Sequence, residues 1–234
     1  MEAPLLSVQH LRAWYEKDRD VLSDFSVTLE NREVVGLIGL NGAGKTTFLK
    51  VLSGLLPTFD AGSIRFQGHP ANVRGAFKTC RYTVFAEDDS FSFFTFREYL
   101  AYVFAAYGKP VPDVSALVDG FGFSDYADAL LGSLSTGNRK KVCLITAFAL
   151  RLPLLLLDEP VNGLDFQSTE FLYRQITDYR KYGTILFSSH ILESITLTSD
   201  RVLVLEHGAI RRTFTGGNVN AADIREALHD DTDL

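Results

Sequence analysis

Of the 234 residues, the segment that most limits the fold is Gly39-Leu-Asn-Gly-Ala-Gly-Lys-Thr46. It satisfies the spacing G-x-x-x-x-G-K-[ST] in full. Its small residues let successive backbone N–H groups turn inward around an anion, and a following helix adds the positive end of its dipole. The preceding run, Glu33-Val-Val-Gly-Leu-Ile-Gly39, is nearly all apolar, as a strand buried on both faces reads. After the turn, Lys45–Leu52 carries Leu49 and Leu52 at helical spacing, with Gly54 placed to close the helix. Strand, glycine turn and helix in this order describe a phosphate cradle in an α/β sheet. Lys45 is placed to reach the terminal phosphates and the Thr46 hydroxyl to ligate Mg²⁺.

A second run supports the first. Leu154-Leu-Leu-Leu-Leu-Asp158-Glu159 is an apolar strand that delivers two carboxylates at its C-terminal end, where ligands sit in such sheets. Asp158 suits the Mg²⁺ shell. Glu159 is then free to polarise an attacking water as general base. Cradle and carboxylates together read as a P-loop nucleotidase that binds Mg-ATP and hydrolyses it.

The remaining pattern surrounds this core. Leu5–Leu11 reads as an edge strand, and Phe25–Leu29 alternates apolar and polar residues as a strand does. Strands are also expected within Phe59–Gly68 and at Tyr82–Phe85. From Phe96 to Leu150 helical periodicity dominates, broken at Gly108-Lys-Pro110 and Gly120–Gly122. Beyond Leu157 a helix (Gln167–Tyr179), a strand (Thr184–Phe187), a helix (Ile191–Leu197) and a strand (Arg201–Leu205) alternate as parallel α/β folds do. A short helix is expected from Ala221. The net charge of −6 gives no footprint for nucleic acid, which needs clustered Lys and Arg. No apolar run approaches the roughly 20 residues of a spanning helix, and the N-terminus lacks the pattern of a signal peptide. Cys80 and Cys143 stand far apart without metal-ligand spacing and are expected to be reduced. The chain therefore reads as cytoplasmic.

Three further segments narrow the reading. Leu134-Ser-Thr-Gly-Asn138 precedes a probable-helix run, with Gly137 standing 21 positions before Asp158; Val161-Asn-Gly-Leu-Asp165 follows the carboxylate pair; and Phe187-Ser-Ser-His190 ends the next strand. This set, in this order, resembles the ATP-binding-cassette (ABC) ATPases over essentially the whole chain. The resemblance implies a P-loop core with a mixed or parallel sheet, an N-terminal antiparallel β part and an inserted helical subdomain (96–150) carrying the signature, all in a single domain over 1–234. It implies ATP and Mg²⁺ as cofactors, with Gly39, Leu40, Asn41, Gly42, Ala43, Gly44, Lys45, Thr46 and Thr47 around the phosphates and Tyr15 stacked on adenine. Trp14 is the alternative to Tyr15. Ser135, Thr136, Gly137 and Asn138 would close over the ATP held by an opposite subunit. His190 would hold the catalytic geometry with Glu159, and Asp165 would couple two sites across the dimer seam. The implied partners are a second nucleotide-binding subunit and an integral membrane permease, which would hold the chain at the cytoplasmic face of the membrane. The motif style resembles bacterial exporters more than importers. A non-transport ABC ATPase and an ATP-sensing module remain as alternatives.

Two places depart from the family pattern or leave it open. The family signature commonly reads LSGGQ, and here Thr136 and Asn138 replace a glycine and the glutamine. Where the family places a metal-ligating glutamine after the strand Tyr82–Phe85, this chain has Ala86-Glu87-Asp88-Asp89. Glu87 is the candidate third metal ligand, against a plain solvated acidic loop. The aromatic run Ser90-Phe-Ser-Phe-Phe-Thr-Phe96 reads either as the groove that receives a permease helix or as core of the helical part.

Overall fold

The computed structural model describes residues 3–86, 90–216 and 219–229. In chain order its elements begin with β1 (Leu6–Glu16), β2 (Arg19–Leu29), β3 (Val34–Ile38), α1 (Lys45–Ser53), β4 (Phe59–Asp60), β5 (Ser63–Phe66), β6 (His69–Pro70) and β7 (Arg81–Val84). The helices α2 (Phe96–Ala106), α3 (Ser115–Gly120) and α4 (Thr136–Leu150) follow, then β8 (Leu154–Asp158), α5 (Phe166–Asp178) and β9 (Thr184–Ser188). The chain continues with α6 (Leu192–Thr198), β10 (Arg201–Glu206), β11 (Ala209–Thr215) and α7 (Ala221–His229).

Two sheets result. The antiparallel one runs β2-β1-β5-β6, with β4 also on β1. The other runs β11-β10-β3-β9-β8-β7, parallel throughout except for β11. Every residue of β3, β8 and β9 is buried, so these strands show no polar face, as parallel strands covered on both sides must.

Period-2 alternation still sorts their side chains into two cores. Val34, Ile38, Leu155, Leu157, Ile185, Phe187, Val202 and Val204 face one cluster, shared with α2, α4, α5, α6 and α7. Val35, Leu37, Leu154, Leu156, Leu186, Leu203 and Leu205 face the other, with α1 and the antiparallel sheet. The start of β3 is pinned from outside: Asp200 accepts from the Val34 N–H at 2.8 Å and takes both forks of Arg180 at 2.8 and 2.9 Å. α1 ends as expected at Gly54, in left-handed conformation with its N–H on the Val51 carbonyl.

Two expectations need correcting. β1 is an interior strand, not an edge: β5 returns along its free side, pairing Leu6 with Phe66 and Ser7 with Arg65. A strand's position in a sheet depends on which later segment pairs with it, and local alternation carries no such information. The structure also has β11, which the sequence reading lacked. It turns back from β10 through His207 and Gly208, both at positive φ (46° and 78°), as a two-residue hairpin turn requires. The Gly208 turn after the apolar run Val202–Leu205 was the available signal.

Leu156 lies at the centre of β8 with no exposed surface. Leu156→Ala is expected to cost about 2–5 kcal/mol, read as a drop in the midpoint of chemical denaturation at unchanged m-value.

Candidate functional site

The site forms where β3, β8 and β9 end. Gly39 leaves β3 so close to β10 that a Cβ there would lie 2.3 Å from the Leu205 carbonyl oxygen. Gly44, the N-cap of α1, has φ 109°, and a Cβ on it would meet Leu22 Cδ2 at 2.6 Å. These contacts force the loop to be bare backbone at its two ends. Lys45 folds back over it, and Nζ donates to the carbonyl oxygens of Gly39 (2.7 Å) and Leu40 (3.2 Å). Burial lowers the pKa of this ammonium, against the opposing pull of Glu159 and Asp158.

Asp158 ends β8 almost wholly buried, and a carboxylate there needs donors. Thr46 Oγ1 donates across both of its oxygens, at 3.1 and 2.9 Å, and Ser188 Oγ donates to Oδ1 at 2.6 Å. Glu159 sits at φ 47°, a left-handed conformation that costs a non-glycine residue about 1–2 kcal/mol. It is held from three sides. Its N–H donates to Ser188 Oγ at 3.0 Å, and its Oε2 accepts from the His190 N–H at 3.3 Å and meets His190 Nδ1 at 2.8 Å. Lys45, Thr46, Asp158, Glu159 and His190 thus converge as one cluster.

A second group forms on its own contacts. Ser135 caps α4, its hydroxyl accepting from the Asn138 N–H at 3.2 Å, which leaves the first turn of a 15-residue helix open beside Thr136 and Gly137. A Cβ on Gly137 would lie 2.2 Å from the Gly163 carbonyl oxygen. The Asp165 carboxylate caps α5, accepting from the Ser168 N–H at 2.8 Å, and takes the nearly buried Lys141 at 2.7 Å. The Lys141 and Ser168 hydrogen bonds hold the Asp165 carboxyl down at about 2. The Ser135–Asn138 turn and the Asp165 loop are therefore fastened together within one chain. Sequence reasoning gave no role to Lys141, Gly163 or Ser188, although the last two stand inside segments it singled out, because their roles lie in three-dimensional contacts.

Tyr15 presents a half-exposed ring beside α1, its hydroxyl accepting from Thr47 Oγ1 at 3.5 Å and Lys50 Nζ lying 5.7 Å from its centroid. Trp14 is more covered, its backbone tied to Thr58. Leu40, Asn41 and Gly42 form the outer lip, lining a cavity of about 280 Å³ with Leu205, His207 and Leu228. Glu87 lies outside the described residues. The aromatic run after it is core only in part. Phe96 is core, Phe94 packs half-buried against it, and Phe93 is 90% exposed. Phe91 bridges them, with its ring 5.3 Å from Phe94 and 5.2 Å from Tyr102.

The donors fit Mg²⁺. Thr46 and Asp158 offer hard oxygens at the mouth of the cradle, and Mg²⁺ favours one or two carboxylates completed by water and substrate phosphates. Among the described residues no group of three or more His, Cys, Asp or Glu side chains is placed to hold a metal ion.

Residues 22–162 match the ABC transporter family. A Bacillus subtilis protein named as an ABC transporter ATP-binding protein, AlbC, is 36% identical over 91% of this chain and 92% of its own length. A Nod factor export ATP-binding protein I from Burkholderia lata is 34% identical over 82% of this chain and 64% of its own length. A solved ATP binding subunit of an ABC transporter superposes with a TM-score of 0.82 at 27% identity, covering 95% of this chain and 92% of that one.

Removing Lys141 tests the fastening of the second group. In Lys141→Ala the Asp165 carboxyl is expected to rise from about 2 towards the ordinary carboxylate range, followed by carbon-detected NMR titration. Because the folded value is depressed, the wild-type pair stabilises at neutral pH, and its contribution fades as pH falls below the unfolded value towards about 2.

Proposed function

Because the chain belongs to the ABC transporter family, whose ATP-binding subunits are ATPases coupled to transport, we propose that its site is one half of a composite ATPase closed by a second subunit. The observation that carries this reading is the arrangement at the strand ends, where Thr46 bonds Asp158, His190 bonds Glu159, and Lys45 is held over the loop by the Gly39 and Leu40 carbonyls.

Each residue has a role that follows from its chemistry. Backbone N–H groups of Gly39–Thr47 and the N-terminus of α1 bind the phosphates, and Lys45 turns its ammonium from the loop carbonyls to the terminal ones. Tyr15 offers its exposed ring to adenine. Thr46 and Asp158 hold Mg²⁺, which when bound neutralises charge on the phosphoryl oxygens. Glu159 accepts the proton of the attacking water. His190 holds the Glu159 carboxylate in place and reaches the γ-phosphate. Ser135, Thr136, Gly137 and Asn138 close over ATP held by the other subunit, their open helix turn and hydroxyls suiting an anion. Asp165, bonded to Lys141 beside that turn, joins the two sites.

We propose that a permease subunit supplies the transmembrane path. Among the described residues no helix is long and apolar enough to cross a membrane. We place the permease contact on Phe91, Phe93 and Tyr102, an exposed aromatic surface where the chain enters the helical part, which holds the protein at the cytoplasmic face. Similarity to a Nod factor export protein supports outward transport.

Two experiments test this. Glu159→Gln is expected to lower turnover by about 10²–10⁴-fold while trapping ATP, so that light scattering records dimer mass with Mg-ATP and monomer mass without it. Turnover at the wild-type rate would remove Glu159 from the mechanism. Phe93→Asp, on a side chain 90% exposed, is expected to leave folding and basal hydrolysis intact and to abolish co-purification with the membrane subunit. Retained co-purification moves the contact elsewhere.

A further inference from the structure

The two acidic residues of the proposed mechanism, adjacent in sequence, meet one hydroxyl on another strand, Asp158 through its carboxylate and Glu159 through its backbone N–H. Ser188 is the last residue of β9, wholly buried, and pairs in register with Asp158 on one side and Leu37 on the other. Its Oγ lies 2.6 Å from Asp158 Oδ1 and 3.0 Å from the Glu159 backbone nitrogen, whose N–H is shared with the Ser188 carbonyl oxygen at 3.2 Å. A serine hydroxyl has one proton and two lone pairs. Asp158 as a carboxylate only accepts, and the Glu159 N–H only donates, so the direction of both bonds is fixed. Proton towards Asp158 and lone pair towards Glu159 is the one arrangement that satisfies both.

We infer that Ser188 is a positioning residue, whose hydroxyl orients the metal-holding carboxylate and adds a second acceptor, beside its own main-chain carbonyl, for the N–H of the general base. The inference rests on the roles proposed above for Asp158 and Glu159. Its physical content is twofold. One oxygen of Asp158 is oriented by a buried donor on the neighbouring strand, leaving Thr46 to exchange its hydrogen bond for a metal contact without stranding the carboxylate. The Asp158–Glu159 peptide is also held in the orientation that its left-handed φ of 47° requires, which aims the Glu159 side chain at His190. The neighbouring Ser189 serves the adjoining turn instead: its Oγ accepts from the Ile191 N–H at 3.0 Å and from Ser194 at 2.8 Å. The two serines thus divide the work, one for the carboxylates and one for the turn that presents His190.

The test uses Ser188→Ala with the isosteric pair Ser188→Thr and Ser188→Val, which differ only in hydroxyl against methyl. Ala and Val are expected to lower kcat about 10–100-fold, the usual effect of removing a group that orients a metal ligand, with KM for ATP little changed. The Mg²⁺ concentration that half-saturates enhanced binding of a fluorescent ATP analogue is expected to rise by a similar factor, a readout independent of turnover. Thr is expected to restore both. Equal kcat in Thr and Val overturns the inference, as does wild-type kcat in Ala. Glu159→Gln measured alongside separates the failures. If it turns over normally, the site reading itself falls; if it is inactive while Thr and Val match, only the role of Ser188 falls.

Discussion

The shared register of β3, β9 and β8 is the constraint on which the site depends. Leu37 stands opposite Ser188, and Ser188 opposite Asp158. In a strand with period-2 side chains, a slip by one residue reverses which face every side chain meets. Such a slip would move Leu155, Leu157 and Phe187 out of one core and Leu154, Leu156 and Leu186 out of the other. The shape fit of each core therefore resists the exchange, and the register delivers Asp158, Ser188 and the turn to His190 at matching depth. Apolar packing, which has no direction of its own, fixes the positions of polar atoms to within a hydrogen-bond length.

The cradle obeys a related rule. Gly39 and Gly44 are bare because Leu205 and Leu22, from β10 and β2, occupy the space a side chain would need. The same device recurs in the second group, where Gly137 meets the Gly163 carbonyl. Close backbone approach binds the phosphate loop to the central sheet and the Ser135 turn to the Asp165 loop. Lys141 adds a charged tie to the second joint, so two segments proposed to face a second subunit are held as one body.

Strain is concentrated where the chemistry is placed. Glu159 occupies a left-handed conformation and is over-determined by Ser188 and by two contacts from His190. Such a conformation persists when its surroundings outweigh its cost, and here the surroundings are contributed by a different strand. Preorganisation of the base therefore needs the whole parallel sheet, although Asp158 and Glu159 are neighbours in the chain.

By itself the sequence determined the local and chemical features: the phosphate cradle, the two buried strands that flank it, the carboxylate pair, the helix stop at Gly54 and the membership that the motif order implies. These are legible because each rests on short spacings and residue types whose backbone or side-chain needs are met within a few neighbours. Tertiary structure alone decided that β1 lies inside its sheet, that Phe93 faces outward while Phe96 is core, that Lys141 meets Asp165 and that Ser188 joins the Asp158 carboxylate to the Glu159 backbone. Those facts depend on partners 24 to 60 residues away along the chain, brought together by packing that no local pattern encodes.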